Sequence, residues 1–94
     1  MRNRDAEVQE KITALRQRLF DGLRALSTHD HLKNLPFEIE PLDYRTLVVH
    51  FTGSRFFSEG DIAAISQILG GSRFYEVTPD VSNNVRLSFT LSLE

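Results

Sequence analysis

The chain has 94 residues, 40% apolar and 26% charged, which matches one small globular domain with enough apolar content for a core. Eleven Lys and Arg against thirteen Asp and Glu leave a net charge of −2, so no bulk electrostatic pull toward nucleic acid or anionic membrane arises. There is no cysteine, which excludes disulfides, thiolate catalysis and cysteine-ligated zinc.

The first residues, MRNRDAEVQEK, are charged where a secretory signal needs an apolar run, and no stretch is apolar enough to span a bilayer. A cytoplasmic location and no membrane partner are therefore expected. From Asp5 to Leu26 apolar residues recur in steps of three and four, at Val8, Ile12, Leu15, Leu19, Leu23 and Leu26, with Phe20 and Ala25 widening the stripe. This is the signature of an amphipathic helix, with Asn3 or Asp5 as the capping residue. The stripe has two readings. The helix lies on a sheet, or its N-terminal half also pairs with a partner through Val8, Ile12, Leu15 and Leu19, whose spacing follows two heptads. Gly22 falls on the stripe and is unfavourable by about 1 kcal/mol relative to alanine, unless something packs closely there.

Ser27, Thr28 and Asp30 end the helical pattern, and Pro36 keeps Leu35 out of the helical region. His29 and His31 flank Asp30 in this connector. They have no second ligand cluster nearby, so no metal site is expected. Phe37 to Glu40 and Arg45 to Phe51 then alternate, the second with Leu47, Val49 and Phe51 on one face, and Glu40-Pro41-Leu42-Asp43 is turn-like between them. His50 reads as a half-exposed strand residue.

Ser58 is the expected N-cap of a second helix, with Asp61 in the reciprocal capping position and Phe57 and Ile62 as a hydrophobic staple. Ile62, Ile65, Ile68 and Leu69 form its buried face, and Gly70-Gly71 ends it in left-handed geometry. The tetrapeptide Gly-Ser-Arg-Phe occurs at 53–56 and again at 71–74. Arginine can fork onto phosphate or carboxylate and an aromatic can stack, so the repeat invites a binding role. A helix of about eleven residues holds the copies roughly 16 Å apart, however, too far for one compact site. The simpler reading is punctuation, with glycine ending each regular element and an aromatic starting the next buried segment.

Arg73 to Thr78 is a third strand, with the buried face left open between Tyr75 with Val77 and Phe74 with Glu76. After a turn-rich Pro79 to Asn84, Val85 to Leu93 alternates without a fault, Leu87, Phe89 and Leu91 facing a core. The whole predicts an α+β fold, α-ββ-α-ββ. A four-stranded, mostly antiparallel sheet of order 1-2-4-3 (a split βαβ arrangement) carries both helices on one face. It is parsed as a single domain over 1–94: a long helix at 1–28, a connector at 29–36 and a ββαββ unit at 37–94.

No phosphate-binding loop, nucleophile elbow, placed carboxylate pair or RNA-binding sheet signature is present, so no catalytic residue, cofactor or metal is expected. The favoured reading is a non-catalytic protein-interaction or assembly module that self-associates. Val8, Ile12, Leu15, Leu19, Arg55, Arg73, Tyr75 and Arg86 are its candidate contact residues. The alternative is a nucleic-acid-binding module using Arg55, Arg73, Arg86 and adjacent aromatics.

Overall fold

The computed structural model describes residues 4–26 and 30–92. Asn3 as a cap, and Ser27, Thr28 and His29 in the connector, lie outside the described residues. Helix α1 spans Arg4–Arg24, and after a short 3-10 turn at Asp30–Leu32 come β1 (Phe37–Asp43) and β2 (Thr46–Ser54). Helix α2 (Glu59–Ile68) crosses to β3 (Tyr75–Pro79), and a second 3-10 turn leads into β4 (Val85–Ser92). The sheet order is β1-β2-β4-β3. All three strand pairs are antiparallel, so β2 and β3 run parallel to each other with β4 between them. Both helices cover the same face, as their apolar stripes require. No helix among the described residues is long and apolar enough to cross a membrane.

The core joins Val8, Ile12, Leu19 and Leu23 of α1 to Ile65 of α2 and its C-cap Leu69, over Leu47, Val49, Phe51, Leu87 and Phe89 of the central strands. Leu15 and Leu26 pack against it. The expected widening of the stripe does not occur: Phe20 and Ala25 are exposed, and the Arg24 guanidinium sits 5.0 Å from the Phe20 ring centre. At Gly22 the helices nearly touch. An added Cβ would lie 2.9 Å from both Cγ atoms of Ile68, so the glycine makes room for a β-branched side chain of α2.

Helix α2 begins and ends as its sequence requires. The Asp61 N–H donates to Ser58 Oγ (3.1 Å) and the Ser58 N–H to Asp61 Oδ2 (3.0 Å), a complete capping box. At the other end the Gly71 N–H reaches Ser66 O and the Gly70 N–H reaches Gln67 O, with both glycines at positive φ. These two bonds make a Schellman motif.

The β1–β2 turn is displaced from its expected place. Strand β1 continues through Pro41, which pairs with Leu47, and the chain turns at Tyr44-Arg45, where the Arg45 N–H donates to Asp43 Oδ1 (2.7 Å). Proline is tolerated because β1 is an edge strand, and the register shift between Pro41 and Asp43 absorbs Leu42 as a bulge. The open register of β3 is also settled. Tyr75 opposes Phe89 and Val77 opposes Leu87, so both lie on the helix-side face, while Glu76 and Thr78 share the other face with Ser88 and Arg86.

Candidate interaction surfaces

The sequence-derived contact residues separate into groups. Val8, Ile12 and Leu19 are buried, and Leu15 packs beside them, so the α1 stripe is occupied by the protein's own core. Arg55 and Arg73 are exposed at opposite ends of α2. Arg86 lies on the other sheet face, its Nη2 3.7 Å from Asp80 Oδ1, where Glu38, Glu40 and Glu76 add negative charge. The three arginines form no continuous basic strip.

The two Gly-Ser-Arg-Phe copies do share backbone geometry, since Gly53 and Gly71 both adopt positive φ. Their phenylalanines correct the sequence reading. Phe56 and Phe74 are 70% and 77% exposed, and it is the next residue in each copy, Phe57 or Tyr75, that meets the core or a core ring. Phe57 packs against the core, and Tyr75 lies 5.6 Å from Phe89, centre to centre.

The connector aspartate and histidine act separately. Asp30 pairs with Lys33 at 3.2 Å, while His31 Nε2 lies 2.8 Å from Asp61 Oδ1. An ionised carboxylate only accepts, so this Nε2 carries the proton, and the connector is tied to the buried capping residue of α2. No group of three metal-ligating side chains occurs among the described residues.

Register also assembles a polar chain that the sequence reading missed. His50 opposes Ser88 on the open sheet face, its Nδ1 2.7 Å from Ser88 Oγ and its Nε2 2.9 Å from Glu40 Oε1. The carboxylate fixes the Nε2 proton, leaving Nδ1 to accept from the serine hydroxyl. This is the order of nucleophile, base and orienting acid. The surroundings supply little else for acyl transfer. Ser88 lies on a central strand whose backbone groups serve β2 on one side and β3 on the other, so no free N–H donors converge beside it as an oxyanion would need. The chain does bind β1, β2 and β4 together across the open face.

Two surfaces stand out among the described residues. The first is the β3 edge. The Thr90 N–H donates to Phe74 O (2.9 Å), which makes 74 and 90 a hydrogen-bonded pair. In an antiparallel ladder such pairs alternate, so Glu76 and Thr78 bond to β4, while the N–H and C=O of Tyr75 and Val77 point outward. Their side chains are 49% and 45% exposed. The β1 edge is different: Pro41, a bulge, Glu38 and Glu40 all interrupt it.

The second is a cleft of about 670 Å³ between α1 and the loop from α2 to β3. Leu15, Leu69 and Leu91 are among its apolar lining, Lys11, Arg18 and Arg73 are its charged groups, and Gly70 to Ser72 form one wall. The Ser66 hydroxyl donates to Ser72 O and holds that wall against α2. No family model, curated protein or solved structure matches the chain.

Proposed function

We propose that this protein is a cytoplasmic, non-catalytic interaction module that self-associates by pairing β3 with β3 of a second copy. The observation that carries the reading is the free edge, where Tyr75 and Val77 offer outward N–H and C=O groups beneath half-exposed apolar side chains. A two-fold axis at Val77 lays Val77 on its own mate, Tyr75 beside the partner's Pro79 and Glu76 beside the partner's Thr78. No like charges oppose each other in that register, and apolar groups continue across the helix-side face. Pro79 lacks an N–H, so it contributes only its acceptor.

The α1 stripe is not part of this proposal, since the protein's own core covers it. A nucleic-acid reading through Arg55, Arg73 and Arg86 has less support, because those groups are dispersed and the open sheet face carries three glutamates.

Sedimentation equilibrium over a micromolar to millimolar range tests the proposal, comparing the natural chain with Val77→Lys. The exposed lysine would face its own mate across the axis. The expected result is a monomer–dimer equilibrium that Val77→Lys weakens at least tenfold, with an unchanged circular dichroism spectrum. A natural chain that stays monomeric throughout, or a variant that dimerises equally well, refutes the proposal.

A further inference from the structure

We propose that the cleft between α1 and the α2–β3 loop binds a small amphiphilic anion, an apolar chain or ring carrying a carboxylate. Three observations converge on this ligand class. The cleft is apolar in its body, with leucines from α1, the C-cap of α2 and β4 and the exposed ring of Phe74. Among the described residues its ionisable side chains are all cationic: Lys11, Arg18 and Arg73 line it and no Asp or Glu does. Among the described residues none of these three cations pairs with a carboxylate.

Exposed basic side chains on small acidic proteins commonly find acidic neighbours along the same helix or across a strand. Here, in a chain of net charge −2, three cations collect around one apolar hollow with no acidic side chain among its described lining residues. Guanidinium groups recognise a carboxylate by two parallel hydrogen bonds, and the leucines favour an apolar body over a bare inorganic ion. A volume of about 670 Å³ lies inside the range of small-molecule sites. The loop wall is held by the Schellman motif and the Ser66–Ser72 hydrogen bond, so the hollow exists before a ligand arrives. This site is separate from the β3 edge and stands or falls without it.

Four probes of one chain length, used below their aggregation concentrations, test the assignment: dodecanoate, dodecyl phosphate, dodecanol and dodecyltrimethylammonium. Binding is followed by calorimetry and by amide chemical shifts in 15N-labelled protein. Dodecanoate should bind at a single site, shifting the Gly70, Gly71, Ser72 and Thr90 amides, with dodecanol at least tenfold weaker and the cation weaker still. Arg18→Gln/Arg73→Gln should weaken dodecanoate by about 10- to 100-fold while leaving dodecanol unchanged. Ala14→Trp, which narrows the cleft from an exposed position without altering charge, should weaken both. Tighter binding of dodecyl phosphate than of dodecanoate overturns the carboxylate assignment. No binding, equal affinity for dodecanoate and dodecanol, or shifts confined to other surfaces overturns the site itself.

Discussion

Replacing Gly22 by alanine sets two effects of opposite sign against each other. In an exposed helix interior the change stabilises by about 1 kcal/mol, because glycine has more backbone freedom to lose. Here the new methyl would lie 2.9 Å from Cγ1 and Cγ2 of Ile68 and 3.1 Å from Cδ1. Carbon atoms prefer separations of about 3.5–4.0 Å, so the helices must part or Ile68 must leave its rotamer. Overpacking of this kind typically costs about 1–3 kcal/mol. The balance is a destabilisation of about 0–2 kcal/mol for Gly22→Ala. Ile68→Ala removes all three crowded atoms, and in that background Gly22→Ala should stabilise by about 1 kcal/mol. The sign therefore reverses between backgrounds, and a double-mutant cycle by urea denaturation reads the coupling directly. Stabilisation by Gly22→Ala in both backgrounds would show that the helices do not meet at this point.

Other substitutions probe single devices of the fold. Ser58→Ala removes the acceptor for the Asp61 N–H and should lower stability by about 1 kcal/mol in denaturant unfolding; an unchanged midpoint would contradict the capping box. Ser88→Ala breaks the hydrogen bond to His50 and should cost about 0.5–1.5 kcal/mol. The same variant should hydrolyse p-nitrophenyl acetate at the rate of the natural chain, and a large loss of rate would make Ser88 a nucleophile.

Much of the architecture was legible because its signals are local. The alternation from Val85 onward, the capping box at Ser58 and Asp61, and the left-handed Gly70-Gly71 stop each rest on residues within one turn or strand. A crossover of fixed hand then determines the sheet order from the element order. Features that depend on tertiary context were less legible. Pro41 looks like a turn residue, and only its position on an edge strand allows it to remain in β1. Phe56 and Phe74 have the composition of core residues, yet they occupy loops where the next aromatic reaches the core first. The Glu40–His50–Ser88 chain requires the register of three strands, and no single segment contains it. The cleft unites Lys11 and Arg18 with a loop more than fifty residues later, so no sequence window displays it.

Amide hydrogen exchange as a function of protein concentration tests the self-pairing of β3 most directly. Glu76 and Thr78 bond to β4 within one copy, so their protection should be the same at every concentration. Tyr75 and Val77 point outward, and their amides should exchange freely when dilute and become protected as the concentration rises through the dimer dissociation constant. Exchange at Tyr75 and Val77 that never changes with concentration, while the protein remains folded, would contradict the account.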